Sequence, residues 1–346
     1  MMELGPSSFV PRAWLRNAHL MTVYAWACRR PFAALAAPEA RLIRVSDDTQ
    51  VLAHAHWQPT RHTRPTLLAL HGLEGSSGVH YMRGLADKAW RLGWNVVRLN
   101  QRNCGGTEHL TPALYHSGLT ADPRAVIRSL VRSEGLGDFG IVGYSLGGNL
   151  TMKLAAELAD DPDLPVRAVV AVCPTIDLER CVRAIERPSN VVYQFNFVRN
   201  LKRRMRRKAA AWPGTFDLAP LDGIRTIRQF DDIYTAPHHG FGDAADYYRQ
   251  ASAIRVVDRI RVPALILASA DDPFVPAAQF DDPRVRGNPH VRVHMSPYGG
   301  HCAFVGPPSP GHDGFWAEAE AVRFLAGTTG TTGTTGTTGE MIGTPT

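Results

Sequence analysis

Short, continuous apolar runs alternate along this chain with segments in which apolar residues recur every three or four positions. Continuous runs are typical of strands buried on both faces, and the recurring spacing is typical of helices with one apolar face. The runs predict buried strands at residues 66–70, 94–99, 139–142, 166–172, 263–269 and 291–295. Helical patterns fall between most of these strands, so the order of elements predicts an α/β fold with a mostly parallel central sheet and helices on both faces.

The alternation stops at Cys173-Pro174, and no buried strand is recognisable before Arg261. Three helical patterns replace it, at residues 180–187, 191–211 and 243–257, and they predict a helical cap or lid inserted between two strands. We therefore predict four regions in the chain. They are an irregular N-terminal segment packing on the core (1–40), an α/β core (41–172 and 261–326), the cap (173–260) and a disordered tail rich in glycine and threonine (327–346).

The beginning and the end of the predicted core have simpler patterns. Residues 41–45 and 51–57 predict the two strands of a hairpin around a polar turn. Residues 313–325 predict a helix that closes the core. Within the core, Asp122-Pro123 has the residue types of a helix N-cap followed by a proline in the first turn.

Composition and cysteine usage argue against a disulfide-bonded, a zinc-binding and a membrane-spanning protein. The chain has 346 residues, of which 44% are hydrophobic and 20% charged, so it has enough apolar material for a globular core. The five cysteines form no Cys-x-x-Cys pair, which argues against both a disulfide framework and a zinc site and favours a reducing compartment. Because we find no secretory signal and no apolar run of about 20 residues, we expect a cytoplasmic protein.

Gly143-Tyr144-Ser145-Leu146-Gly147 lies directly between a predicted strand and a predicted helix. A Gly-x-Ser-x-Gly sequence in that context is typical of a nucleophile elbow, in which a strained turn exposes the serine hydroxyl above a sheet. The alternative is a glycine-rich turn whose serine only caps the helix. Because both flanking elements are present, we predict that Ser145 is a catalytic nucleophile.

A serine nucleophile needs a base, and the base needs a carboxylate that orients it. In this architecture the carboxylate and the histidine follow the serine in that order. Asp271 and Asp272 both follow the strand at 263–269, and we favour Asp272 because Pro-Phe-Val comes directly after it. The other aspartate is then a loop cap. His301 follows the next strand, in a loop with two glycines, and we predict that it is the base.

A tetrahedral intermediate also needs two backbone N–H donors. One is expected from the residue after the nucleophile, Leu146, and the other from the loop after the strand at 66–70. His71-Gly72-Leu73-Glu74-Gly75 fits that loop, with Leu73 as the candidate donor. His71 precedes the loop, so we predict a structural hydrogen-bonding role for it.

With these residues in place, the sequence resembles the α/β-hydrolase superfamily, and more narrowly its YheT-like branch. This branch is related to abhydrolase-domain lipases and to yeast medium-chain ethyl ester synthase/esterases. The narrower match rests on four stretches, namely Arg16 to Thr22, His71 to Ser76, Tyr115 to Gly118 and Ala270 to Phe274. The resemblance implies hydrolysis of carboxylic esters, with short or medium acyl chains, and no metal or organic cofactor.

We therefore expect a serine carboxylic ester hydrolase that acts on a small-molecule acyl ester. The same groups also suit an acyltransferase or a thioesterase, because these differ only in which nucleophile or leaving group meets the acyl-enzyme. An alternative from another class is a non-catalytic lipid- or polyanion-binding protein with a hydrolase fold. A complete set of three catalytic groups argues against it.

The densest charge run, residues 201–208, lies in the predicted cap. It is a candidate for peripheral contact with a lipid surface, although a solvated outer face of a cap helix is the interpretation we favour. No aromatic residues are interleaved with it, so we expect no nucleic-acid partner. The insertion also contains five aromatic residues that either line an acyl pocket or form the core of the cap, namely Phe195, Phe197, Trp212, Phe216 and Phe230.

Overall fold

The computed structural model describes residues 7–32 and 35–328. The tail predicted to be disordered, residues 327–346, lies outside this range from residue 329 onward. Among the helices of the described ranges, none has the length and apolar character that crossing a bilayer requires.

One sheet of eight strands runs through the described part of the molecule. Its strands are β1 (Glu39–Ser46), β2 (Thr49–His56), β3 (Thr66–Leu70), β4 (Asn95–Leu99), β5 (Phe139–Tyr144), β6 (Val166–Val172), β7 (Ala264–Ser269) and β8 (Val291–Ser296). The strand order is β1-β2-β4-β3-β5-β6-β7-β8. β1, β2 and β4 are joined by antiparallel pairing, and all other neighbours are parallel, as the continuous apolar runs predict.

Helices cover the sheet and fill the connection between β6 and β7. They are α1 (Ala18–Ala27), α2 (His80–Arg91), α3 (Ala121–Glu134), α4 (Leu146–Glu157), α5 (Leu178–Ile185), α6 (Val191–Ala211), α7 (Ile227–Phe230), α8 (Ala236–His238), α9 (Ala244–Ala251), α10 (Pro283–Arg286) and α11 (Trp316–Thr328). The predicted α/β fold class is confirmed by this arrangement.

Alternate residues of each central strand belong to different hydrophobic clusters. In β3, Leu68 and Leu70 pack with Val126 of α3 and Leu150 of α4, whereas the intervening side chains pack with α2 and α11 on the other face. Both faces of the central strands β3, β5, β6 and β7 are therefore covered, which is why these strands contain few polar residues.

The register brings the carboxyl ends of the central strands to one edge. Leu70 at the end of β3 pairs with Gly143 in β5, and Tyr144 at the end of β5 pairs with Val172. Ser269 and Ser296 form the last pair of β7 and β8. The loops that leave these strands therefore start side by side, where open α/β sheets carry their ligand sites.

Three local predictions are wrong. The helix predicted at residues 243–257 ends at Ala251 as α9, and two short 3₁₀ turns follow it. Within residues 1–40, predicted to be irregular, residues 18–27 form helix α1, and Asn17 caps it by accepting a hydrogen bond from the Leu20 amide at 3.0 Å. Helix α3 begins one residue before Asp122-Pro123, so Asp122 lies in the first turn. Its carboxylate pairs with Arg102 at 2.6 Å instead of capping the helix.

Candidate active site

Ser145 stands at a sharp turn between β5 and α4, with φ 54° and ψ −115°. Such dihedrals are unfavourable for a residue other than glycine and are typical of functional sites. The turn closes only because its two glycines have no side chains. A Cβ on Gly143 would lie 2.1 Å from the Gly147 carbonyl oxygen, and a Cβ on Gly147 would lie 2.5 Å from that of Leu70.

Three of the predicted residues form one continuous line of hydrogen bonds. His301 Nε2 lies 2.9 Å from Ser145 Oγ, and His301 Nδ1 lies 2.9 Å from Asp272 Oδ2. The side chain of Asp272 is 1% exposed, and its Oδ1 also accepts from the amides of Phe274 at 2.8 Å and Val275 at 3.0 Å. The carboxylate is therefore held rigidly, with Oδ2 at 2.9 Å and Oδ1 at 3.1 Å from His301 Nδ1.

Asp271, the alternative considered from the sequence, has a different environment. Its Oδ1 accepts a hydrogen bond from the Gly300 amide at 3.0 Å, and the structure gives it no contact with His301. Burial raises the pKa of the Asp271 carboxyl. Its position fits a role in shaping the loop that carries His301.

The loop around His301 is also held by a residue of α1 that was not among the predicted site residues. Thr22 in α1 accepts a hydrogen bond from the His301 amide at 2.9 Å. Gly300 has φ 53°, and a Cβ there would lie 2.6 Å from the same Thr22 oxygen. The only sequence signal was that Thr22 belongs to the N-terminal stretch shared with the YheT-like branch.

The second predicted amide donor lies in a loop that passes close to the serine. A Cβ on Gly72 would lie 3.2 Å from Ser145 Cβ, so a larger residue there would press against the serine. Leu73 comes next in that loop, and Leu146 is the first residue of α4, where a backbone N–H has no partner within its own helix. His71 is buried and accepts a hydrogen bond from the Gln101 amide at 3.1 Å, and burial lowers its pKa to about 4.

The cap is tied to this loop by a buried ion pair. Arg204 of α6 lies 2.6 Å from the carboxylate of Glu74, the residue after Leu73, and both side chains are less than 10% exposed. The Tyr115 hydroxyl accepts from the Glu74 amide at 3.2 Å, and the Arg204 guanidinium lies 4.5 Å above the Tyr115 ring. Glu74 has φ 57°, so these contacts stabilise an unfavourable turn beside the candidate oxyanion donor.

This ion pair changes the interpretation of the basic run at 201–208. Four of its eight residues are buried, so a fully solvated outer face is the wrong description. Arg207 pairs with Glu108 at 2.6 Å, and Lys208 donates to the backbone carbonyls of Glu108 and Thr111. Much of this charge therefore attaches the cap to the core, and lipid contact through the run stays a prediction.

A pocket between the cap and the sheet opens onto the serine. Ser145, His301 and both leucines with candidate donor amides line it. Most of its remaining wall is apolar and comes from the cap, including Leu178, Val182, Ile185, Phe197, Leu201 and Phe230. Of the five aromatic residues considered above, only Phe197 and Phe230 line this pocket. Phe195 is 66% exposed.

Two cysteines lie directly beside the candidate base. The Cys302 amide donates to Cys173 Sγ at 3.3 Å, and both sulfurs lie within 4.8 Å of a ring nitrogen of His301. Burial raises the pKa of the Cys302 thiol, but hydrogen bonding with Cys173 and the positive charge of the His301 imidazolium lower it to about 6.

The two histidines of β2 form no comparable group, since His54 contacts Ser77 and His56 contacts Arg98.

Comparison with known proteins places this chain in a family. Residues 65–308 match the model of a family described by the alpha/beta hydrolase fold. The chain is 37% identical over 303 residues to YheT of Escherichia coli (strain K12), which is named as an esterase, and the match covers 87% of this chain and 88% of that protein. It is 27% identical over 299 residues to the mouse (Mus musculus) phospholipase ABHD3, covering 82% and 72% of the two chains.

Solved structures show the same fold at lower identity. The crystal structure of 2,6-dihydroxy-pseudo-oxynicotine hydrolase superposes with a TM-score of 0.56 at 16% identity. The match covers 90% of this chain and 71% of that one. At this identity the likeness concerns the fold alone.

Proposed function

The chain belongs to the α/β-hydrolase family, in the branch that contains YheT, and on this premise we propose that it hydrolyses carboxylic esters through an acyl-enzyme on Ser145. The observation that carries the proposal is the line of hydrogen bonds from Ser145 Oγ through His301 to the buried Asp272. An esterase- or lipase-type activity agrees with the names of the relatives. A cytoplasmic location is part of the proposal, because the five cysteines are free thiols.

In the proposed mechanism, His301 Nε2 accepts the hydroxyl proton as Ser145 Oγ attacks the ester carbonyl. The amides of Leu73 and Leu146 stabilise the negative charge that develops on the carbonyl oxygen. Collapse of the intermediate breaks the ester bond, and the imidazolium returns its proton to the departing alcohol. Water then repeats the sequence on the acyl-enzyme, releasing the carboxylic acid and restoring the serine.

The pocket wall indicates which part of the substrate it holds. The side chains from α5, α6 and α7 are mostly aliphatic or aromatic, and they face the serine across the pocket. Each methylene buried there is worth about 0.8 kcal/mol, or roughly a fourfold gain in kcat/KM. A short or medium acyl chain is therefore the group that we assign to this pocket.

The acid limb of the pH profile is expected above the ordinary titration range of histidine. Burial lowers the pKa of His301, but the negative charges of Asp272 and Cys302 and their hydrogen bonds to the imidazole together raise it well above 6.5. Since the base must be neutral, kcat/KM should fall on acidification with a midpoint above about 6.5. A profile of kcat/KM against pH measures this midpoint, and a value at or below 6.5 would contradict the assigned environment.

The proposed function is tested by labelling and by an acyl-chain series. A fluorophosphonate should phosphonylate Ser145, and peptide mass spectrometry identifies the labelled residue. With p-nitrophenyl esters from acetate to laurate, kcat/KM should rise through the short chains and level off where the pocket ends. Running the series with and without added ethanol separates hydrolysis from acyl transfer to an alcohol.

Two outcomes would contradict the proposal. Labelling at a serine other than Ser145 would remove the assigned nucleophile. An unlabelled, inactive protein that binds liposomes or nucleic acid in a salt-sensitive way would favour a non-catalytic binding protein with a hydrolase fold.

A further inference from the structure

Two free thiols from distant parts of the chain meet behind the proposed base. Cys173 follows the last residue of β6, and Cys302 follows His301 in the loop after β8. Besides the contact of the Cys302 amide with Cys173 Sγ, Cys302 Sγ lies 3.5 Å from the Val172 carbonyl oxygen. Each sulfur therefore packs against the backbone of the other segment.

Together with His301, these thiols have the arrangement of a metal-binding group. The two sulfurs and a ring nitrogen of His301 all lie within 4.8 Å of one another, and it is the one such group found in the described residues. With Zn–S near 2.3 Å and Zn–N near 2.0–2.1 Å, tetrahedral ligand atoms lie about 3.5–3.8 Å apart. Small side-chain movements thus bring the three atoms to the distances that zinc requires.

We propose that Cys173, Cys302 and His301 form an inhibitory site for a thiophilic divalent cation, with Zn²⁺ as the ion. Two sulfur donors and an imidazole suit zinc or cadmium, whereas magnesium and calcium prefer oxygen ligands. Two thiolates balance the charge of the ion, and three protein ligands leave one tetrahedral position for water.

Two of the three ligands are partly open to solvent. Cys173 is fully buried, but Cys302 is partly exposed, and the His301 side chain is 13% exposed and lines the pocket. When a ring nitrogen of His301 binds the ion, its lone pair is used for the metal bond or the ring turns away from Ser145. In either case the imidazole can no longer accept the serine proton. Binding should therefore stop ester hydrolysis, a consequence that rests on the proposed function, whereas binding itself does not.

Cadmium is a direct probe of the site, because thiolate-to-cadmium charge transfer absorbs in the ultraviolet. Titration of the full chain with Cd²⁺ should saturate at one ion, with the band intensity of two thiolates, and Zn²⁺ should displace it. Cys173→Ala and Cys302→Ala should each weaken binding by about 100-fold or more and halve the band. Alanine is chosen because both positions have positive φ, at 43° and 58°, where a β-branched residue would be strained.

Cys28→Ser is the matched control, since Cys28 is a partly exposed free thiol outside the cluster, and it should bind Cd²⁺ as the unaltered chain does. In the activity assay, Zn²⁺ should inhibit ester hydrolysis, and a chelator should restore it. The Zn²⁺ concentration that halves the activity should rise in Cys302→Ala by the same factor by which its metal affinity falls. Equal Cd²⁺ affinity in Cys302→Ala and the unaltered chain would overturn the proposal, as would a band of one thiolate or none in the unaltered chain. Normal Cd²⁺ binding by a protein that hydrolyses no ester would instead overturn the proposed function alone.

Discussion

Ser145→Ala is expected to lower kcat for ester hydrolysis on the order of 10⁶-fold, because Oγ is the group that forms the proposed acyl-enzyme. The substitution removes only Oγ, and the Cβ that the turn already accommodates remains. The fold and the pocket should therefore be retained, so that KM for the residual reaction changes little. Steady-state kinetics with p-nitrophenyl butyrate and octanoate measure the loss, and thermal unfolding checks the fold.

The matched control is Ser189→Ala, which removes an exposed hydroxyl between α5 and α6. Its kcat and melting temperature should both match those of the unaltered chain. Turnover by Ser145→Ala at the unaltered rate would show that another residue is the nucleophile. Equal losses in both variants would point to damage of the cap instead of the chemistry.

Strands that are buried on both faces could be predicted from the sequence, because they appear in it as continuous apolar runs. The runs at 66–70 and 166–172 match β3 and β6 residue for residue. Helix α1 was not predicted, because most of its large apolar residues are exposed. Only Met21 and Ala25 of its residues are buried, while Leu20, Val23 and Trp26 are exposed, so no apolar face appears in the pattern.

The candidate site was predictable only as far as chain order determines it. Ser145 and His301 follow from the elbow and from the position of a loop after β8. The contact between Cys173 and Cys302 joins residues 129 positions apart, and no local spacing announces it. The same holds for Arg204, because a basic run on a helix does not reveal which of its members meets a buried carboxylate.

Chain order alone leaves Asp271 and Asp272 as candidates for the carboxylate that orients His301, and their hydrogen bonds distinguish them. Asp272→Asn is expected to lower kcat by about 10⁴-fold. The amide oxygen can still accept from Phe274 and Val275, so the loop keeps its shape. The amide nitrogen then takes the place of Oδ2, the oxygen nearer to His301 Nδ1, and as a donor it favours the imidazole tautomer with its proton on Nε2. In that tautomer Nε2 cannot accept the proton of Ser145.

Asp271→Asn is the matched control, one residue away on the same loop. Its amide oxygen can still accept from the Gly300 amide, and it has no contact with the imidazole, so kcat should fall by less than about 10-fold. Kinetics of both variants at one pH above the acid limb give the comparison, and fluorophosphonate labelling should slow only in Asp272→Asn. A larger loss in Asp271→Asn than in Asp272→Asn would reverse the assignment, because the orienting carboxylate is the one whose replacement changes the tautomer of the base.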